Sequence, residues 1–241
     1  MQNCEGKCSL SFDKFVQNLK DPEFLLKGCQ VFCDKYEDNV SFAVQTLWQD
    51  FLRGGKKTSK NVILGGAEAL LLKWNQAFYK NYPRLMEKIE DDLEDAYDST
   101  LPSLEQLYPI RLGQPNLNKH FKDIGVLYEN YKRKSSISMT GASKALHFIH
   151  PELFVAWDAK IREYYHKNDP SHNKQHKVGS FECYIDFMKT CNDIATDLLK
   201  KRTLNELVLR HPAYVEYKQI RSLPKMLDEC NWCWIFKNER W

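Results

Sequence analysis

The sequence has no apolar run that approaches the roughly 18 to 20 residues of a membrane-spanning helix. Its first residues also lack the apolar stretch of a secretory signal peptide. We therefore expect a protein without membrane association. We expect it in the cytoplasm, or in the nucleus of a eukaryotic cell.

Glycine and proline are scarce, with 10 and 9 residues in a chain of 241. A β-sandwich or barrel needs many turns and more of both residues, whereas abundant leucine, lysine and glutamate favour helices. Apolar residues also recur at helical spacing, as at Phe12, Phe15 and Leu19. The sequence therefore predicts an all-α globule, and a hydrophobic fraction of 43% excludes a disordered chain.

Neither sign of charge dominates, because the formal net charge is only +3. This balance permits nucleic-acid binding without requiring it, since a local basic surface matters more than the total. Short basic clusters occur at residues 56–60, 132–134 and 200–202, and each taken alone is a solvated surface. Two of them on one face would bind phosphate with an affinity that falls steeply with salt.

A disulfide framework is not expected, although the chain has eight cysteines, because a reducing compartment keeps thiols free. Buried thiols are the favoured interpretation, and we expect no metal and no other cofactor. Zinc held by two cysteine pairs, or by the loop histidines His166, His172 and His176, is the alternative. The closely spaced cysteine pairs are Cys4 with Cys8, Cys29 with Cys33, and Cys230 with Cys233.

The length of the chain is near the upper end of what one hydrophobic core supports, so one domain and two packed lobes are both open. Residues 102–115 hold three prolines and are the best candidate for a linker. We therefore predict an N-terminal helical lobe at residues 1–101 and a C-terminal helical lobe at residues 116–241.

The most informative segment spans residues 136–162. It reads as a tight turn of small residues, a helix carrying Lys144, an apolar run, and Asp158 at the start of another helix. With the helix predicted before it, this order resembles the helix-hairpin-helix DNA glycosylases, including the 8-oxoguanine type. In that family a hairpin of small residues leads into a helix bearing a lysine, and an apolar run leads to an aspartate. The resemblance covers residues 117–165.

The resemblance implies an enzyme that excises a damaged or modified base from DNA, in repair or in defence against foreign DNA. Lys144 would attack the sugar and form a Schiff base, which allows strand cleavage by β-elimination. Asp158 would stabilise the positive charge on the sugar or activate a water molecule. The residues expected to bind DNA phosphates through backbone N–H groups and positive charge are Thr140, Gly141, Ala142, Ser143, Lys132, Arg133 and Lys134.

Excision also requires that the base leave the duplex and enter a pocket with stacking surfaces. Trp157 and His147 lie close to the motif in sequence, and Trp74 and Phe78 come from the predicted N-terminal lobe. We expect these four side chains to line the base pocket.

Simpler interpretations of the same residues remain open. Asp158 can serve only as a helix N-cap, Lys144 can be a solvated surface lysine, and Gly141 can be needed only for a turn with positive φ. The rival function is a non-catalytic helical module that binds nucleic acid or a protein partner. A metal-dependent hydrolase is a third possibility. We expect a monomer, although the sequence does not fix the oligomeric state.

Overall fold

The computed structural model describes residues 11–36, 60–237 and 239. Within these residues the backbone forms twelve α-helices and no β-strand, which confirms the all-α class. Two 3₁₀ segments, Pro83–Lys88 and Pro115–Lys119, and a π-helical turn, Trp232–Phe236, complete the helical structure. The α-helices are α1 (Phe12–Leu19), α2 (Pro22–Lys35), α3 (Lys60–Trp74), α4 (Gln76–Asn81), α5 (Ile89–Leu107), α6 (Phe121–Lys132), α7 (Met139–Ile149), α8 (Ala159–Asn168), α9 (Phe181–Lys201), α10 (Leu204–Arg210), α11 (Pro212–Tyr217) and α12 (Leu223–Asn231).

Side-chain caps fix where several of these helices begin. The Ser138 hydroxyl accepts a hydrogen bond from the Gly141 N–H at the start of α7. The Asp158 carboxylate accepts one from the Ile161 N–H at the start of α8. Each cap satisfies a backbone donor that has no partner inside the helix. The prediction that Asp158 caps its helix is confirmed.

The described helices bury one continuous hydrophobic core. It includes Leu71 of α3, which lies in the predicted N-terminal lobe, and Leu127, Phe187 and Leu227, which lie in the predicted C-terminal lobe. Packing of α3 against α7, of α6 against α9, and of α2 against α12 joins distant parts of the sequence. The core therefore crosses the boundary that the sequence predicts between the lobes.

The predicted linker at residues 102–115 is helical in its first part, because α5 continues through Pro102 to Leu107. A proline inside a helix costs about 3 kcal/mol through a lost hydrogen bond and a steric clash. Leu104 and Leu107 follow it and have no exposed surface, and burying a leucine contributes about 1.5–3 kcal/mol. Burial of these two side chains therefore offsets the proline.

Some residues predicted to be of interest lie outside the described ranges. The Cys4 and Cys8 pair is one example, and most of the basic cluster at residues 56–60 is another. Lys60 is described, and it forms ion pairs of 2.6 Å with Glu94 and with Asp98. Within the part of the chain that the structure describes, every helix is too short or too polar to cross a lipid bilayer.

Candidate active site

A pocket of about 330 Å³ lies where α2, α3, α7 and α12 approach the start of α8. Its lining combines aromatic rings with charged side chains of both signs. Ligand pockets commonly combine aromatic and apolar side chains with a small number of polar or charged groups. The lining residues are Phe32, Tyr36, Lys73, Trp74, Lys144, Asp158, Lys225, Asp228 and Trp232.

The structure brings Lys144 and Asp158 to this one pocket. Lys144 lies in α7, where its Nζ donates a hydrogen bond of 2.9 Å to the backbone oxygen of Trp74. The same Nζ lies 5.6 Å from the centroid of the Trp74 indole ring. The carbonyl and the ring thus hold the amine at the wall of the pocket.

Asp158 stands between the end of the apolar run and the first turn of α8. Burial raises the pKa of its carboxyl group, and nearby Asp228 adds to the rise. The Ile161 N–H and the positive charge of Lys144 act in the opposite direction and only partly offset it. A carboxyl group in this environment takes up a proton more readily than one in water.

Two hydrogen bonds fix the spacing between these side chains. The buried Ser143 hydroxyl lies 3.2 Å from the Trp157 backbone nitrogen and 3.1 Å from the Trp157 backbone oxygen. Ser143 directly precedes Lys144 in the chain, and Trp157 directly precedes Asp158. The hydroxyl therefore joins α7 to the segment before α8 at the point where the two pocket residues emerge.

A second pair of charges, from α12, lies in the same pocket. Lys225 is only 1% exposed, and its Nζ lies 3.0 Å from an Asp228 carboxylate oxygen. It also lies 4.9 Å from the ring centroids of Phe32 and Trp74. A buried ammonium needs a compensating anion, and Asp228 supplies it.

Aromatic side chains from the two ends of the chain form another wall. The ring of Trp232 makes edge contacts with Tyr36 at 4.5 Å and with Phe32 at 5.6 Å between centroids. It stacks on Phe236 at 5.5 Å with an interplanar angle of 7°. The contacts hold the indole in one orientation, because aromatic pairs favour edge and offset geometries.

The structure places Trp157 and His147 in the core, and neither lines the pocket. Trp157 has no exposed surface and packs against Tyr128, Tyr184 and other rings. His147 is 2% exposed, and its Nδ1 lies 2.7 Å from the Phe154 oxygen. Burial lowers the pKa of His147. The expectation that these two side chains contact a base is corrected to a structural role.

The two aromatic residues predicted from the first part of the chain differ in placement. Trp74, at the end of α3, lines the pocket. Phe78 lies in α4, where its ring contacts Tyr79 and Tyr82, and it is not part of the lining. Of the four predicted base-pocket residues, Trp74 alone therefore reaches this cavity.

The small residues at 140–143 form the first turn of α7 instead of a hairpin before it. Ser138 already occupies the Gly141 N–H through its hydroxyl and the Ala142 N–H through its backbone oxygen. A Cβ atom at Gly141 would lie 2.9 Å from the Asn75 side chain, so this glycine permits a close approach and not a positive φ. The Gly141 and Ala142 backbone donors, which were expected to bind phosphate, are thus used within the protein.

The basic residues of the predicted phosphate surface are paired with carboxylates. Lys132 lies 2.6 Å from Glu129, and Arg133 lies 3.3 Å from the same residue. Lys134 forms an ion pair with Asp95. The cluster is therefore largely neutralised by the protein itself.

Six of the nine residues that line the pocket are not predicted from the sequence. Lys225 and Asp228 are spaced three residues apart on α12, which places them on one helical face. Trp232 lies between Cys230 and Cys233, and the sequence pattern there indicates a cysteine pair and not a pocket residue. The spacing on α12 was the one local signal that could have identified these residues.

Comparisons with known proteins add no identification. No family model matches the chain, and neither the curated proteins nor the solved structures gave a match. The functional interpretation therefore depends on the resemblance in the sequence and on the geometry of the pocket.

Proposed function

We propose that the chain is a DNA glycosylase that excises a damaged or modified base, with Lys144 as nucleophile and Asp158 as its carboxylate partner. The observation that carries the proposal is the shared pocket, where an amine and a carboxyl group from separate segments meet beside aromatic rings. Schiff-base excision requires a nucleophilic amine and a group that handles protons next to it.

The size and lining of the pocket support a flat substrate. A volume of about 330 Å³ lies at the lower end of small-molecule sites. The rings of Trp74 and Trp232 offer surfaces on which a base flipped out of the duplex can stack. The substrate would therefore be a single base and its sugar.

The proposed reaction begins with the neutral amine of Lys144. Its lone pair attacks C1′ of the sugar, and the bond between C1′ and the base breaks with its electron pair going to the base. The ammonium formed at C1′ gives up a proton, which Asp158 carries to the departing base. The sugar ring then opens as O4′ takes a proton from solvent, which leaves a positively charged Schiff base on Lys144.

The environment of each charged group supports this division of roles. Burial raises the pKa of Asp158, which suits a group that accepts and returns a proton. Lys225 is almost fully buried, and its Nζ is paired with Asp228 at 3.0 Å. We therefore assign Lys144, which shares the pocket with Asp158, as the nucleophile.

We assign contact with the DNA backbone to Lys73, a cation at the pocket. Lys73 is exposed and belongs to the lining, so it can meet a phosphate next to the flipped nucleotide. Residues 132–134 are a weaker choice, because Glu129 and Asp95 form ion pairs with their three cations.

Borohydride trapping tests the proposal directly, because the reagent reduces a Schiff base to a stable amine. The purified chain is incubated with duplex oligonucleotides that carry damaged bases, modified bases or an abasic site. We expect a covalent adduct with the unmodified protein and none with Lys144→Gln.

Lys73→Gln is the matched control, because it removes a lysine amine from the same pocket. It should retain the adduct and weaken DNA binding in a salt-dependent manner. An adduct that survives Lys144→Gln would assign the nucleophile to another amine. No adduct and no abasic product from any duplex would contradict the proposal and favour the non-catalytic binding module.

A further inference from the structure

Two histidines and a cysteine meet at the end of α8 that is remote from Asp158. The potential ligand atoms of His166, His172 and Cys183 all lie within 4.8 Å of one another. Cys183 Sγ is 3.8 Å from His166 Nδ1 and 3.8 Å from His172 Nε2. Sulfur and nitrogen ligands of a tetrahedral zinc ion are about 3.6 Å apart, given the usual bond lengths.

A carboxylate behind His172 orients its ring toward the other two side chains. His172 Nδ1 lies 3.5 Å from an Asp169 oxygen, while Nε2 lies 3.8 Å from Cys183 Sγ. His172 Nε2 also lies 3.1 Å from the Cys183 backbone oxygen, and zinc would replace this hydrogen bond. Asp169 is held in turn by the Thr190 hydroxyl at 2.5 Å and by the Ser171 N–H at 2.9 Å. A histidine whose second nitrogen faces a fixed carboxylate is the usual arrangement behind a metal ligand.

We propose that the chain binds a zinc ion through His166 Nδ1, His172 Nε2 and Cys183 Sγ, with a water molecule in the fourth position. The half-buried His166 leaves a path to solvent, whereas His172 and Cys183 are buried. One thiolate with two imidazoles selects zinc over magnesium or calcium, which require oxygen ligands.

The proposed zinc site is separate from the pocket that holds Asp158. His166 and Asp158 are separated by most of α8, which places them about 12 Å apart along the helix axis. The metal would join the end of α8, the following turn and the first turn of α9. It would therefore stabilise the connection between α8 and α9, and it would take no part in the reaction proposed for Lys144 and Asp158.

Protons compete with the metal at this site. Zinc binds a thiolate and unprotonated imidazole nitrogens, so the Cys183 thiol and any protonated histidine at the site must lose a proton. Zinc affinity should therefore fall as the pH is lowered.

A second cluster of similar composition lacks this geometry. Cys29, His211 and Glu229 also bring three potential ligand atoms together. However, His211 Nδ1 accepts a hydrogen bond from the Ala213 N–H, so the proton is on Nε2, which lies 2.9 Å from Glu229. His211 Nε2 is thus a donor to the carboxylate, and its Nδ1 cannot take over the proton because it accepts the Ala213 N–H. His172 differs, because its Nδ1 faces Asp169 and can carry the proton while Nε2 binds a metal. The cluster of Cys29, His211 and Glu229 therefore serves as an internal comparison.

Metal analysis of the full chain tests the proposal. Protein stripped with a chelator is given zinc, desalted and assayed for bound metal, and cobalt is used in parallel because a cobalt–thiolate bond absorbs light. We expect about one zinc ion per chain and a thiolate absorption band with cobalt. Both should be lost in Cys183→Ser and in His166→Gln.

The controls separate this site from other thiols and from misfolding. Cys191→Ser alters a buried thiol of the same helix, and Cys29→Ser alters the comparison cluster. Both should keep the zinc. His166 is only half-buried, so His166→Gln should fold and give the unmodified helical circular dichroism spectrum. No retained zinc, or full retention by His166→Gln and Cys183→Ser, would overturn the proposal.

Discussion

The two roles of Asp158, helix cap and proposed proton carrier, can be separated by comparing two substitutions. Asp158→Ala removes the oxygen that accepts the Ile161 N–H at 3.2 Å, and loss of an N-cap costs about 0.5–2 kcal/mol. In a chain of this length each kcal/mol lowers the melting temperature by about 2–4 °C. We therefore expect Asp158→Ala to melt about 1–8 °C below the unmodified protein.

Asp158→Asn keeps an equally good capping oxygen and removes only the charge. Because burial disfavours that charge, as the raised pKa of Asp158 shows, we expect a change in stability within about 0.5 kcal/mol. Proton transfer by a positioned group contributes roughly 10²–10⁴-fold to a rate. Excision by Asp158→Asn should therefore fall by at least about 10²-fold while the protein remains folded.

Thermal unfolding by circular dichroism and single-turnover excision on the duplex identified by trapping measure the two effects independently. If Asp158→Asn excises the base at the unmodified rate, Asp158 is only a cap. If Asp158→Asn loses as much stability as Asp158→Ala, the assignment of the capping interaction is wrong.

Three further predictions concern the structure around the site. Ser143→Ala should cost about 1–3 kcal/mol, measured by urea unfolding, because it leaves the buried Trp157 N–H without its partner. Burial lowers the pKa of His150 to about 4 in the folded protein. The unfolded chain therefore binds this proton more tightly than the folded protein does. The free energy of unfolding should fall by up to about 3 kcal/mol as the pH drops from 6.5 toward 4. Urea unfolding over this pH range should show a shallower loss for His150→Gln, and an identical loss would contradict the assignment. Gly66→Ala should destabilise by about 1–3 kcal/mol, because its Cβ would lie 2.3 Å from a phenylalanine ring. In Gly65→Ala, in the same helix, the new Cβ would have no atom within 4 Å. This variant should be more stable by roughly 0.5–1 kcal/mol. Thermal unfolding by circular dichroism measures both glycine variants.

Local signals in the sequence predicted the elements around Lys144 and Asp158. An aspartate before a helical pattern indicates an N-cap, and the structure confirms it at Asp158. The sequence also predicts the helix that carries Lys144, but α7 begins at Met139 and includes the small residues that the sequence predicts as a turn. Close packing against Asn75, and not a turn, requires a glycine at Gly141.

Sequence adjacency misled the prediction of the pocket walls. Trp157 was expected beside the substrate because it directly precedes Asp158. In extended backbone, however, consecutive side chains point to opposite sides, and Asp158 has extended angles of φ −101° and ψ −178°. The Trp157 indole therefore points into the core, because the Asp158 carboxyl group on the opposite side of the backbone points into the pocket.

The remaining walls could not be predicted, because they depend on contacts between distant segments. Phe32 and Tyr36 meet Trp232 across nearly the whole length of the chain. Such pairings leave no periodic pattern in one sequence. The same limit applies to the proposed zinc ligands, since the loop histidines were considered without Cys183, which comes from the next helix.

Under the proposed function, Trp74 would couple substrate binding to activation of the nucleophile. Its backbone oxygen accepts the hydrogen bond from Lys144, and its ring lies close to the ammonium groups of both Lys144 and Lys225. A base that stacks on this ring would replace water around Lys144, and loss of water disfavours a charged ammonium. Lys225 is paired with Asp228 at 3.0 Å and has a carboxylate partner of its own. Entry of the base would thus favour the neutral, nucleophilic form of Lys144.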